Sequence, residues 1–123
     1  MHNIINNLVS IQTELKSKLK DFNKVQIIAV SKTFSKEDIL PLIKHGHAHY
    51  GENKVQESLN KWTDIKIDFP NIKLHMIGKL QTNKVKFVVP LFDYIHSLDN
   101  LKLAEKISSE QKKNNKRLNI FIQ

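Results

Sequence analysis

VQIIAVSKT, residues 25–33, has the pattern of a buried parallel strand. Its first six residues are mostly apolar and β-branched, the run is too short for a helix, and it ends abruptly in polar residues. Ligands of parallel sheets bind at the carboxyl ends of the strands, where Lys32 stands. On this strand alone, a solvated strand end is the more common role for such a lysine. The alternative is a nucleophile, because desolvation in a dry strand would lower the lysine pKa from about 10.4 toward the neutral amine that attacks carbonyl groups.

The composition is typical of one soluble globular domain. The chain has 123 residues, of which 40% are hydrophobic and 26% are charged. That length is sufficient for a single core, and we expect one domain over residues 1–123. The absence of cysteine excludes disulfides, thiolate metal sites and cysteine nucleophiles. The amino terminus lacks the pattern of a signal peptide, and no run approaches the roughly 18 apolar residues of a membrane span, so we expect a cytoplasmic protein.

The net charge of +8 raises the question of a nucleic-acid partner. Lysines are scattered over every segment, with one denser patch at Lys112–Arg117. Aromatic residues do not alternate with these cations as a base-stacking surface would require. The patch lies between a predicted helix and a predicted strand, where a solvated connection is the ordinary explanation. The charge distribution therefore argues against nucleic acid as a partner.

The regular alternation of predicted strands and helices predicts an α/β fold with parallel strands. A first helix is predicted over residues 4–22, and strands begin near residues 25, 47, 72, 92 and 117. This spacing gives five βα-type units, which right-handed crossovers arrange into a parallel sheet. Two folds satisfy the rhythm: a flavodoxin-like five-stranded sheet, and the first five units of an eight-unit barrel. Periodicity does not choose between them.

Three local features of the helices are also predicted. Ser35 and Asp38 have the spacing of a capping box at the start of the second helix. Pro41 should bend that helix or restrict it to a few turns. Asn100 is expected to cap a longer helix further along the chain.

Polar residues follow every predicted strand, as a ligand site in such a sheet requires. They are Ser31, Lys32, Thr33, Gly51, Glu52, Asn53, Gly78, Gln81, Asn83, Ser97 and Asp99. The sequence contains neither G-x-G-x-x-G nor G-x-x-x-x-G-K-[ST], which weakens a nucleotide-binding interpretation, and it lacks the G-x-S-x-G of serine hydrolases. His45, His47 and His49 alternate across a helix end and a strand start. We interpret them as surface residues and predict no metal site.

Three segments resemble successive signatures of the pyridoxal 5′-phosphate homeostasis protein family. They are IAVSKT at residues 28–33, YGENKVQE at residues 50–57 and HMIGKLQTNK at residues 75–84, and YIHSLD at residues 94–99 also fits. The resemblance runs from about residue 25 to the last residue, with the three motifs in the family's order and spacing. The family is related to the barrel domain of alanine racemase. The resemblance therefore implies the first five units of a TIM-barrel-like fold of the alanine racemase amino-terminal type, an incomplete barrel.

The same resemblance assigns roles to two residues. Lys32 matches the lysine that holds pyridoxal phosphate as an internal aldimine, and Asn53 matches the asparagine of the G-E-N motif beside the cofactor. Asn53 is also a candidate N-cap for the third helix, and the two roles are compatible. Gln81 and Asn83 we interpret as structural. Family members carry the cofactor and maintain its supply without an established turnover reaction, so the resemblance implies a non-catalytic protein of cofactor homeostasis.

The sequence departs from the family at its end. The family's phosphate-binding serine and arginine follow later strands of the barrel, and the single arginine here, Arg117, stands at the start of the fifth strand. We therefore expect weakened cofactor binding. The missing carboxyl-terminal half would act in trans, or the chain would self-associate through its open sheet edges. Two alternatives remain: a fragment of a pyridoxal-phosphate-dependent amino-acid enzyme, which would need a tyrosine from a further β-domain, and a basic interaction or nucleic-acid-binding module.

Overall fold

The computed structural model describes residues 3–123 as a single sheet with its helices. The helices are α1 (Asn3–Lys18), α2 (Lys36–His45), α3 (Val55–Asp68), α4 (Val85–Leu91) and α5 (Leu101–Asn114). The strands are β1 (Ala29–Val30), β2 (His49–Glu52), β3 (Lys73–Met76), β4 (Tyr94–Leu98) and β5 (Asn119–Ile122). Short 3-10 turns cover Phe22–Lys24 and Thr82–Lys84. None of the helices within residues 3–123 has the length and apolar content needed to cross a lipid bilayer.

The order of the strands decides between the two predicted folds. All neighbouring strands are parallel, and they follow one another in space as they do in sequence, β1-β2-β3-β4-β5. A flavodoxin-like sheet would place β1 between β2 and β3. Sequential order is that of a (β/α)₈ barrel, in which each strand pairs with the next one along the chain. The barrel-type prediction is therefore confirmed, and β1 and β5 are the edges of the sheet formed by residues 3–123.

The two faces of the sheet differ in composition because side chains alternate along each strand. One face packs against the helices and carries the core residues Tyr50, Leu74 and Ile95, all fully buried. The ring of Tyr50 lies 4.9 Å from that of Trp62 in α3. We call the opposite face the inner face; it is formed by His49, Gly51, His75, Tyr94, His96 and Phe121.

Two of the three predicted side-chain caps are present. In α2 the Asp38 N–H donates to Ser35 Oγ, and the Ser35 N–H donates to Asp38 Oδ2, each over 3.2 Å. At the start of α5 the Leu103 N–H donates to Asn100 Oδ1 over 2.8 Å. Pro41 lies inside α2, which spans only 10 residues, as the restriction to a few turns predicted.

The first predicted strand is shorter and more exposed to solvent than expected. Only Ala29 and Val30 pair with β2, and Val30 is 51% exposed. A segment that is apolar at nearly every position was interpreted as covered on both faces. Here β1 has a single neighbouring strand and its inner side is uncovered, so the prediction of a dry strand was wrong for residues 3–123.

Two helix boundaries also differ from the predictions. The first helix ends at Lys18, before the predicted residue 22, because apolar spacing marks the buried side of a helix and not its end. The third helix begins at Val55 with Lys54 as the cap residue, and no side chain caps it. Asn53 is not the cap, because β2 continues through Glu52, whose carbonyl accepts the Ile77 N–H over 2.9 Å.

Candidate functional site

Lys32 lies in a tight turn directly after β1. The Phe34 N–H donates to the Ser31 carbonyl over 3.2 Å, which closes the turn over four residues. Thr33, the third residue of the turn, has a φ of 67°. A positive φ at this position is characteristic of type II turns, which favour glycine there. A β-branched residue in this conformation is strained, so the surrounding structure must hold the backbone in place.

The side chain of Lys32 is exposed in the structure formed by residues 3–123. The dry environment expected from the sequence is therefore not present around it. The reason is the position of β1 at the sheet edge, with its inner side open to water.

Asn53 follows the carboxyl end of β2, the strand that neighbours β1. Val30 pairs with Gly51, so Lys32 and Asn53 each stand two residues beyond the same aligned pair. The Ser31 N–H donates to the Gly51 carbonyl over 3.0 Å, which continues the pairing past the end of β1. Neighbouring strands lie about 4.8 Å apart. The fold thus places the two predicted site residues just beyond the carboxyl ends of neighbouring strands.

Gly78 makes close contact with Asn53 at the end of the third strand. A Cβ atom on residue 78 would lie 2.6 Å from Asn53 Cβ and 3.1 Å from its Cα. Real Cβ atoms do not approach this closely, so only glycine allows the β3–α4 loop to pack here. Gly78 therefore fixes the backbone position of Asn53.

A cationic groove opens beside Asn53, with a volume of about 310 Å³. It is lined by Asn53, Lys54, Val55, Gln56, Lys79, Gln81 and Lys84. Three lysines make it suited to an anionic group. Gln81 shares this groove with Asn53, whereas Asn83 lines a separate groove with Lys102 and Lys106.

Arg117, the only arginine, precedes β5 and so stands at the amino end of the sheet, away from Lys32. It lines a shallow groove with Lys112 and Lys116. Burial lowers the pKa of Lys116, whose Nζ donates to the Pro90 carbonyl over 3.0 Å. At least one cation of the basic patch thus has a structural role.

A buried ionic network lies directly under the Lys32 turn. Glu52 is fully buried, and its Oε2 accepts from Ser31 Oγ, Lys61 Nζ and Trp62 Nε1 over 2.7, 2.8 and 3.0 Å. From the sequence, Glu52 is predicted only as one of the polar residues at a strand end. The available signal was its spacing of two from Tyr50, which puts a carboxylate on the apolar face of the strand.

A row of three histidines crosses the inner face. His49 Nδ1 and His75 Nε2 are 2.9 Å apart, and so are His75 Nδ1 and His96 Nε2. Tyr94 stacks on His75 with ring centres 4.0 Å apart. A neutral His75 donates in one of these bonds and accepts in the other, so both bonds can form with all three rings neutral. We call His49, His75 and His96 the histidine row.

The histidine row favours its neutral form electrostatically. Burial lowers the pKa of His75 to about 4, and repulsion by His49 and His96 adds to the effect. Burial also lowers the pKa of His49 and of His96. The prediction that the alternating histidines lie on the surface holds for His45, which is exposed, whereas His47 and His49 are half-buried. Residues 3–123 contain no group of three or more histidine, aspartate or glutamate side chains placed to hold a metal ion.

Several known proteins that resemble this chain in sequence carry one name. No family model matches the chain. It is 35% identical to the pyridoxal phosphate homeostasis protein of Haemophilus influenzae over 98% of this chain and 53% of that protein. It is 42% identical to the protein of the same name from Aquifex aeolicus, over 76% of this chain and 40% of that protein.

A solved structure agrees with these relatives. PipY of Synechococcus elongatus, solved with pyridoxal phosphate bound, matches with a TM-score of 0.77 and 36% identity, over 88% of this chain and 50% of PipY. The chain spans about half the length of the relatives that it matches.

Proposed function

By sequence and by fold the chain is a homologue of the pyridoxal phosphate homeostasis proteins, and on that premise we propose that it binds pyridoxal 5′-phosphate through Lys32. The proposed role is to hold and release the cofactor without catalysing a reaction. The observation that carries the proposal is that Lys32 and Asn53 both stand just beyond the carboxyl ends of two neighbouring parallel strands, β1 and β2. Ligands of parallel sheets bind at this edge.

The residues at this edge fit the chemical groups of the cofactor. Pyridoxal phosphate supplies an aldehyde that condenses with amines, together with a phosphate dianion. The Lys32 amine is presented by a turn and is accessible, and the amide of Asn53 both donates and accepts hydrogen bonds. The cationic groove beside Asn53 has charges of the sign that a phosphate attracts.

The exposure of Lys32 supports a carrier function. An accessible amine can exchange the cofactor with other amines, because water and competing nucleophiles reach the same bond. An enzyme acting on amino acids would need a second acid or base positioned over that bond and a site that excludes water.

We further propose that residues 1–123 bind the cofactor more weakly than the full-length relatives do. In barrels of this kind the phosphate is commonly held by loops after the seventh and eighth strands. One charge-assisted hydrogen bond contributes about 1.5 to 3 kcal/mol, and each 1.4 kcal/mol is a factor of about ten in affinity. A polypeptide that supplies those strands in trans should therefore raise the affinity by orders of magnitude.

Reductive trapping tests the proposal directly. The chain is incubated with pyridoxal phosphate, reduced with borohydride and mapped by peptide mass spectrometry. We expect the adduct to be concentrated on Lys32, and Lys32→Ala to abolish it with the circular dichroism spectrum unchanged. Lys36→Ala, which removes another exposed lysine four residues away, is the matched control and should keep the adduct. Labelling spread evenly over the surface lysines would contradict the proposal.

A further inference from the structure

The ionic network under the Lys32 turn contains two charges that are almost completely removed from water. We call Ser31, Glu52, Lys61 and Trp62 the Glu52–Lys61 network. The side chains of Lys61 and Glu52 are 6% and 0% exposed, and their charged atoms are 2.8 Å apart. Within residues 3–123, Glu52 Oε1 is buried without a hydrogen-bond partner, so the carboxylate is only partly compensated. The free-energy cost of removing such a pair from water often exceeds the attraction between its two charges. Well-packed apolar residues of similar size would stabilise the fold equally well.

The contacts of the network are made with the turn that carries Lys32. Lys61 Nζ donates to the Ser31 carbonyl over 2.7 Å, and Ser31 Oγ donates to Glu52 Oε2 over 2.7 Å. The Ser31 carbonyl is also the acceptor that closes the turn. Both the backbone and the side chain of the residue before Lys32 are therefore fixed by buried charges.

The residue after Lys32 is held from the same helix. The Thr33 N–H donates to Glu57 Oε1 over 3.1 Å, and the same carboxylate oxygen lies 3.8 Å from Lys61 Nζ. Lys61 and Glu57 stand one turn apart on α3 and so contact the two flanks of Lys32 together. This second contact falls on the residue whose φ is strained. Strained backbone persists where its surroundings over-determine it, and such sites are commonly functional.

We propose that Glu52 and Lys61 are positioning residues that hold the turn of residues 31–34, so that the Lys32 amine is presented toward Asn53. Both act through Ser31, Lys61 through the backbone carbonyl and Glu52 through the side-chain hydroxyl. This inference rests on the proposed function of Lys32, and it adds a reason for a buried charge pair that stability alone does not require.

The test removes both charges at once. The double variant Glu52→Gln/Lys61→Met keeps an acceptor for Ser31 and Trp62, and it avoids leaving one charge buried without its partner. The matched control is Glu14→Gln/Lys18→Met, the same changes in an exposed pair on α1 whose charged atoms are 2.9 Å apart. The wild type and both double variants are compared as 123-residue chains.

Two measurements distinguish an effect on the order of the turn of residues 31–34 from an effect on the reactivity of Lys32 toward the cofactor. Amide hydrogen exchange of Thr33 and Phe34, followed by NMR without cofactor, reports the order of the turn. With pyridoxal phosphate added, the rate at which borohydride fixes the cofactor on Lys32 reports the reactivity of that amine. The same rate at Lys36 is the internal reference. We expect exchange in the turn to rise about tenfold or more in Glu52→Gln/Lys61→Met, and trapping at Lys32 to fall about ten- to a hundredfold, as misplaced reacting groups do. The control variant should match the wild type in both.

The outcomes are distinguishable. Unchanged exchange at Thr33 and Phe34 in a folded double variant overturns the inference, and so does increased exchange with unchanged trapping at Lys32. If the double variant does not fold, Ser31→Ala, which removes the hydrogen bond from Ser31 Oγ to Glu52 and leaves the charge pair intact, is measured in its place with the same criteria. If exchange rises but Lys32 is not trapped even in the wild type, the turn is held as inferred and the proposed function fails.

Discussion

At the scale of single residues, Gly78 offers a test of the site that needs no cofactor. In Gly78→Ala the new Cβ would meet Asn53 Cβ at 2.6 Å, so the backbone must shift. We expect a loss of about 1 to 3 kcal/mol in the free energy of unfolding, the range of overpacked sites. We also expect a change in the NMR signals of the Asn53 side-chain amide.

Gly46→Ala is the matched control for that substitution. Gly46 has a φ of 105°, and nothing lies within 4 Å of the position of its Cβ. Its replacement adds backbone strain only, so Asn53 should be unaffected. Unchanged stability and an unchanged Asn53 signal in Gly78→Ala would refute the close packing.

Asn53 permits a second test at this scale. Because Asn53 does not cap α3, Asn53→Asp changes the charge of the site without removing a cap. We expect unchanged thermal unfolding, and weaker binding of pyridoxal phosphate, since a carboxylate at position 53 would repel the phosphate dianion of the cofactor.

Absorbance titration with the cofactor measures that difference. Asn71→Asp places the same charge in an exposed loop at the opposite end of the sheet, and it should bind as the wild type does. Equal affinities of the two variants would show that Asn53 lies outside the site.

At the scale of elements, the histidine row links stability to pH across β2, β3 and β4. The pKa of His75 is lowered to about 4 in the fold, from 6.5 as the ordinary value. The unfolded chain therefore binds this proton more readily. The stabilisation that comes from keeping His75 neutral is fully present above pH 6.5. It is lost as the pH falls toward 4, which lowers the free energy of unfolding by up to about 3 kcal/mol.

Urea unfolding at several pH values checks this prediction. His75→Gln keeps hydrogen-bonding groups but cannot take up the proton, so the decline in stability between pH 6.5 and 4 should become shallower. His45→Gln, at an exposed position at the end of α2, should keep the wild-type profile. Parallel pH profiles of the wild type and His75→Gln would refute the prediction.

At the scale of the whole molecule, the sheet of residues 3–123 has two edges with exposed apolar side chains. Val30 of β1 and Phe121 of β5 are each 51% exposed, and Ile122 is 85% exposed. Unpaired strand edges of this kind pair with other chains. We expect the 123-residue chain to associate with rising concentration in sedimentation velocity measurements.

A charge on the edge should weaken that association. Phe121→Lys places a lysine on β5, a common means of blocking edge pairing. Ile67→Lys, at a 73% exposed position on α3, is the matched control and should leave the association unchanged. A chain that stays monomeric at all concentrations would contradict the prediction.

The features that were predictable from the sequence depend on residues close together in the chain. The capping box of Ser35 and Asp38 spans one helical turn, so its geometry follows from local spacing. The β-then-α rhythm follows from the hydrophobic period of each short segment. Lys32 is a candidate because it ends a predicted strand, and both Lys32 and Asn53 are candidates because they stand in motifs that resemble those of a known family; their roles stay predictions.

Only the tertiary structure decided what depends on long-range pairing. The periodicity of five similar βα units does not specify which strands become neighbours, and the order of the strands confirmed the barrel type that the family resemblance implied. The histidine row takes one residue from each of three strands. The charge pair of Glu52 and Lys61 joins β2 to α3. Both groups contact Ser31, which directly follows β1 and is 30 residues from Lys61 in the sequence. Such contacts arise from register and packing, which no local pattern encodes.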